Sequence, residues 1–257
     1  PRLGLAVATK QSAMPAAAML GGLAVPAVAL TLGWRWAYAM GALVGLVGFA
    51  CVRAFIIDRP ITAASKVSVV ESTSRALAAA TAVSMLFAFS SGAINAWTVS
   101  SGVDAGLSEG AAGLFLGLAA GMGILFRLAA GARVDASKAP PFRMAAQLYL
   151  IGIVGFVLLS ARVAPLHAGA TVLAFAGGWI WPVFTNFAIV NANPRSAGAA
   201  TGMTQMGVYV GVFSAPVITG GIIDRWGYQT MWLVVAGVAM CAAAIAVAVS
   251  PSFPRTG

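Results

Sequence analysis

Residues 110–143 read GAAGLFLGLAAGMGILFRLAAGARVDASKAPPFR, an apolar run interrupted by Arg127 alone and followed by a turn carrying Arg133, Asp135, Lys138 and Arg143. A hydrocarbon core about 30 Å thick is crossed by about 20 mostly apolar residues in a helix, so 110–131 predicts a membrane-spanning helix. The same alternation of apolar run and charged turn recurs outward in both directions. It predicts eight spans, at 12–32, 36–57, 76–98, 110–131, 143–162, 166–190, 199–222 and 229–250.

Composition agrees. The chain of 257 residues is 60% hydrophobic and 8% charged, with a mean hydropathy of +0.93, whereas a soluble domain carries about 25% charged residues. Thirty glycines and twelve prolines would weaken soluble helices, but membrane helices accept them because close packing uses small residues. The net charge of +9 does not indicate nucleic acid, since the basic residues stand in ones and twos between apolar runs and form no stripe. Cys51 and Cys241 lie inside apolar segments and are expected to be buried free thiols. No phosphate loop, Ser/His/Asp set, HExxH or cysteine-histidine cluster is present, so no catalytic residue, cofactor or metal ligand is expected, and the chain is not read as an enzyme.

Eight spans put alternate connections on opposite sides, and Lys and Arg gather on the cytoplasmic one. Twelve basic residues (Arg2, Lys10, Arg53, Arg59, Lys66, Arg75, Arg127, Arg133, Lys138, Arg143, Arg195, Arg255) fall on one side and three (Arg35, Arg162, Arg225) on the other. Both chain ends are therefore expected in the cytoplasm, with the Asp104/Glu109 connection outside.

The polar stretch 58–75 divides two spans from six and reads as a cytoplasmic linker, giving expected units 1–57, 58–75 and 76–257. The first pair of spans also repeats the last. At an offset of 194 residues Gly4 meets Gly198, Ala6 meets Ala200, Gln11 meets Gln205, Gly33 meets Gly227 and Tyr38 meets Trp232. Such parallel repeats mark transporters built from two similar halves, although two apolar hairpins also match by chance. On the repeat reading, four further helices are expected before Pro1, giving twelve.

Three motifs then resemble the major facilitator superfamily: Gly131-Ala132-Arg133-Val134-Asp135 with Arg127 before it and Lys138 and Arg143 after it; Lys10-Gln11 leading to Gly33-Trp34-Arg35; and Pro194-Arg195 through Gly198, Gly202, Gln205 and Gly207 to Asp224-Arg225-Trp226-Gly227. The first is similar to the family's Gly-x-x-x-Asp-Arg loop, with Ala136 and Ser137 where a basic residue and a glycine are usual. The resemblance implies an all-α, polytopic membrane bundle in which this chain supplies family helices 5 to 12. It also implies a secondary transporter working by alternating access as a monomer when intact, in the plasma (inner) membrane.

Its further implications concern particular residues. Arg127, Gly131, Arg133 and Asp135 would form a cytoplasmic gating loop, with Asp135 latched to the start of the span at 199; a solvated positive-inside turn, or a local Arg127–Asp135 pair two helical turns apart, is the alternative. Gly113, Gly117 and Gly121, with Gly207 and Gly211, would line a sliding boundary between halves or simply pack helices. Polar and aromatic residues within spans are candidates for solute contact, because polar groups in hydrocarbon need a partner or a cavity: Asn95, Trp97, Trp179, Trp181, Thr185, Asn186, Gln205 and Tyr209. The amides also suit interhelical hydrogen bonds, and Trp97 an interfacial anchor. Pro182 either frees carbonyls for binding or makes an ordinary kink.

No Asp or Glu lies mid-span, so a proton-coupling carboxylate lies elsewhere or the protein is a uniporter. The helix-5 stretch Met19 to Pro26 lacks the Gly-Pro order of the family's exporters, which weakens drug or metabolite efflux. The substrate expectation is a small organic anion taken up from outside; a cation in the cavity would support it, but Lys10 and Arg53 stand near cytoplasmic span ends and equally suit snorkelling to the interface. A truncated or sensor-like membrane protein that binds without transport is the competing reading.

Overall fold

The structure, a computed structural model, describes residues 2–55 and 72–253. Most of the expected 58–75 linker lies outside the described residues. The helices are α1 (Leu3–Gln11), α2 (Ala13–Ala24), a π turn (Val25–Ala29), α3 (Trp34–Phe55), α4 (Ser74–Asp104), α5 (Glu109–Ala136), α6 (Pro141–Ser160), α7 (Ala164–Gly178), α8 (Trp181–Ala192) and α9 (Ala197–Val249). Sequence sets their ends. Thr73 and Ser108 cap α4 and α5 by accepting the N–H groups of Ala76 and Ala111, each at 3.2 Å, while Pro141, Pro165 and Pro182 open α6, α7 and α8, where a missing N–H costs nothing.

Among the described residues, seven helical stretches are long and apolar enough to cross a membrane, against eight expected from sequence. The difference lies in α9. Its 53 residues would extend about 80 Å at 1.5 Å per residue, far more than one crossing. Gly227 breaks it with φ 76° and ψ 175°, a conformation that glycine adopts without a Cβ clash.

Contacts on either side show the chain turning back there. Before the break, Gly207, Gly211 and Ala215 lie against Thr81, Met85 and Gly92 of α4 in ascending order. After it, Trp232 stacks on Phe156 and Phe253 meets Phe142, descending along α6. α9 is therefore a hairpin of two crossings, and the eight-crossing reading is kept. The break at Gly33, φ 97°, occupies the same place in the opening pair of helices, so both glycine-aromatic turns of the sequence repeat use left-handed backbone.

The core sits among α4, α6, α7, α8 and α9, where Phe87, Tyr149, Phe156, Phe175, Phe184 and Trp232 are fully buried. α1 and α2 dock on α5. Gly22 opposes Gly117 and Gly113, and a Cβ on it would lie 2.6 Å from the Gly117 nitrogen; small residues thus let the two backbones nearly touch. Gly121 faces Met19, whereas Gly207 and Gly211 face α4. Only the first glycine stripe therefore lies between α1–α2 and the rest of the bundle; the second packs α9 on α4. Cys51 and Cys241 are exposed rather than buried, because each points outward from an apolar helix into the zone that lipid fills.

Candidate solute-binding cavity

Two prolines shape the centre of the molecule. Pro15 has no N–H to offer the carbonyl four residues back, Gln11, and the helix is interrupted there between α1 and α2. Pro182 likewise leaves Gly178 without its donor, and the following N–H, of Val183, bonds to Ile180 at 3.2 Å instead of to Trp179. Three carbonyls in apolar surroundings are thus left without helical partners, and such groups are costly unless a side chain reaches them.

Side chains from α4 and α5 do so. The Ser91 hydroxyl donates to Gly178 O at 2.9 Å and accepts from Trp181 Nε1 at 2.9 Å, while Ser91 O accepts from Trp179 Nε1 at 3.2 Å. Arg127 takes the other two carbonyls: Nε donates to Trp179 O at 3.0 Å, Nη2 to the same oxygen, and Nη1 to Gln11 O. Its guanidinium carbon lies 5.4 Å from the Trp179 ring centroid, within range of a cation–π attraction. Arg127 is 2% exposed.

Beside it opens a cavity of about 310 Å³ lined by Gln11, Met14, Ala88, Ser91, Asn95, Arg127, Trp179, Trp181, Gln205 and Val212, among others. A second cavity, about 330 Å³, lies nearer the basic-residue end between α1, α8 and α9. The two share Gln11 and Gln205.

Arg127 was therefore misplaced by the sequence reading. It is no part of the turn: it lies eight residues, about 12 Å along the axis, before Asp135 and points into the bundle. Asp135 does latch onto a helix start, but not that of α9. Its Oδ1 accepts Gly4 N–H at 2.7 Å and Oδ2 accepts Leu5 N–H at 3.0 Å, charge-assisted bonds at the positive end of α1. Gly131 makes this geometry possible, because a Cβ there would lie 2.6 Å from Ala8 Cβ and 2.7 Å from Gly4 O. Arg133 is exposed in the same turn.

Of the other expected solute contacts, Asn95, Trp179, Trp181 and Gln205 line the central cavity, and Asn186 lines the second. Thr185 is buried and bonds to Trp181 O at 3.3 Å, lining only a narrow crevice beneath. Trp97 and Tyr209 are corrections. Trp97 donates to Thr219 Oγ1 at 2.7 Å and meets the Tyr228 ring, joining α4 to α9 near the Gly227 turn. Tyr209 is 65% exposed on the outer face of α9, one step round from Val208, which faces the cavity. Gln11 and Ser91 were missed, although Ser90-Ser91-Gly92 in an apolar span, and Pro15 four residues after Gln11, were visible signals. His167 is buried with its Nε2 3.1 Å from Thr98 O, a packing contact remote from the cavity.

The model of one family, the Major Facilitator Superfamily, matches residues 1–166. The chain belongs to the major facilitator superfamily. A search of curated proteins finds no match. Membership makes the protein an integral membrane protein with multiple spans, of a family that transports small solutes and is not enzymatic. The α5 turn at Gly131–Asp135 and Arg127 itself fall within the matched segment, whereas Trp179, Trp181 and Gln205 of the cavity wall lie beyond it.

Proposed function

We propose that this superfamily chain is a secondary transporter for a small organic anion, with Arg127 as the group that holds the anion. A buried guanidinium in a largely apolar cavity is the observation that carries the reading. Removing such a charge from water costs several kcal/mol unless it is well paired, and an intramembrane cation with access to a cavity marks a solute path. The carbonyls of Gln11 and Trp179 engage three of the five N–H donors of the group, which leaves donors for a carboxylate. The Trp179 and Trp181 rings offer an apolar wall for its organic part.

Alternating access follows from the same parts. α1–α2 and α5 meet across a glycine-lined surface closed at one end by the Asp135 latch, which suits rocking of residues 1–57 against 76–257 about a central site. Charge placement supports cytoplasmic chain ends in an inner or plasma membrane: with Arg127 removed from the tally, eleven basic residues remain on one side against three on the other.

Uptake into proteoliposomes tests the reading. Labelled benzoate is expected to accumulate faster than labelled choline or glycerol, and Arg127→Gln is expected to lower benzoate flux at least tenfold, with Arg127→Lys intermediate. Benzoate flux equal to that of protein-free vesicles, or unchanged in Arg127→Gln, sinks the anion reading.

A further inference from the structure

The cavity nearer the basic end holds a cation of its own. Lys10 lines it and forms no ion pair or side-chain hydrogen bond among the described residues. Lys10 adjoins Gln11, whose backbone carbonyl is held by Arg127, so the two cations belong to cavities that meet at Gln11 and Gln205. The side-chain amides of Gln11 and Gln205 also make no hydrogen bond among the described residues, and both residues line both cavities. They are the pair matched by the 194-residue repeat, one from each glycine-turned helix pair.

We propose that Lys10 heads a second, shallower anion station, reached from Arg127 between the amides of Gln11 and Gln205. This rests on the anion reading of Arg127 and adds a site to it. The chemistry of the second cavity differs from the first. Lys10 is a flexible, hydrated point charge. Around it Asn186 donates one N–H to Pro182 O at 2.8 Å and keeps another, and the Gln11 and Gln205 amides each bring two donors. Among the described residues, no aromatic ring lines this cavity. A carboxylate fits here by its head group alone, with weaker retention than at Arg127, where the organic part also packs on tryptophan.

A weak cationic station at the mouth raises the local anion concentration and gives the solute a stepwise exit, because each transfer exchanges one set of N–H donors for another. The path is Arg127, then the two amides, then Lys10, then water at the basic end.

The test is equilibrium binding of labelled benzoate to the full chain in nanodiscs of zwitterionic lipid. Two classes of site are expected. Lys10→Gln is expected to weaken the lower-affinity class about tenfold, the scale of one lost charge-assisted interaction, and to leave the other class intact. Arg127→Lys is expected to weaken the higher-affinity class selectively. Lys10 is exposed, so its substitution leaves folding unchanged, as a thermal melt checks.

A single class that responds to Arg127→Lys and ignores Lys10→Gln overturns the second station while leaving the anion reading in place. A single class that responds only to Lys10→Gln overturns the anion reading of Arg127 and the two-station path with it. Should Lys10→Gln alter retention of phosphatidylglycerol but not of benzoate, Lys10 serves a lipid phosphate and the station is overturned.

Discussion

Among the helix contacts built on glycine, two are secured in opposite ways. Where α2 meets α5, Gly22, Gly113 and Gly117 bring backbones together, and a polar fastening sits at the end of the interface, from the Asp135 carboxylate to the first N–H groups of α1. Where α9 meets α4, Gly207 and Gly211 do the same work, but the fastening is the bond from Trp97 to the fully buried Thr219 hydroxyl and the Trp97–Tyr228 ring contact near the Gly227 turn. A carboxylate on backbone N–H groups at an aqueous rim opens when water replaces it. An indole bond to a hydroxyl sealed from water by packing has no such substitute. Glycine thus supplies closeness in both places, and the fastening decides which contact is able to part.

The largest test of this contrast is Gly131→Leu. Its side chain meets Ala8 and the Gly4 backbone, so α1 is expected to lift off α5, with a loss on the order of 1–3 kcal/mol from overpacking and a lower melting temperature in detergent. Preserved stability would mean that the α1 contact is looser than described.

Asp135→Asn is subtler, because the amide oxygen still accepts one bond but the charge is gone. About 1–2 kcal/mol of latch is expected to disappear, read as faster labelling of a cysteine placed at Ala8 by a water-soluble maleimide. Unchanged labelling would show that the latch does not hold the interface shut. Thr219→Val is the smallest change. It removes the acceptor for the Trp97 indole and is expected to cost about 1 kcal/mol without altering labelling at position 8. If it opened the Ala8 side as much as Asp135→Asn does, the two contacts would not be independent.

Much of the fold was legible because hydropathy and turn chemistry are local properties. The spans follow from apolar run length, and both turns at Gly33 and Gly227 follow from a glycine set beside an aromatic residue. Helix rotation was not legible. In a bilayer both faces of a helix are apolar, so no polar stripe tells inside from outside. That is why Tyr209 was placed in the cavity and Val208 was not, and why Trp97 was read as a solute contact.

Arg127 failed for a related reason. Its position near the end of a span suggested membrane-surface charge, while its true direction depends on carbonyls in two other helices. The signals were present as Pro15 and Pro182, but nothing in one sequence says that two broken helices converge on the same side chain. The carboxylate-to-helix-start logic of Asp135 was sound, and only its partner was wrong; α1 and the first arm of α9 carry matching sequence at the 194-residue offset, which makes them hard to tell apart before folding.

The carbonyl cradle around Arg127 has a thermodynamic side. The guanidinium rests on the carbonyls of Gln11 and Trp179, which on the proposed anion reading act as an internal surrogate for cargo. On the proposed anion reading, a carboxylate uses the remaining donors and competes with those carbonyls for the rest, so its affinity is the difference between two good sets of bonds. On that reading tight capture is given up and release is correspondingly quick: a carrier that returns its arginine to its own backbone each cycle need never wait for a strongly held passenger to leave.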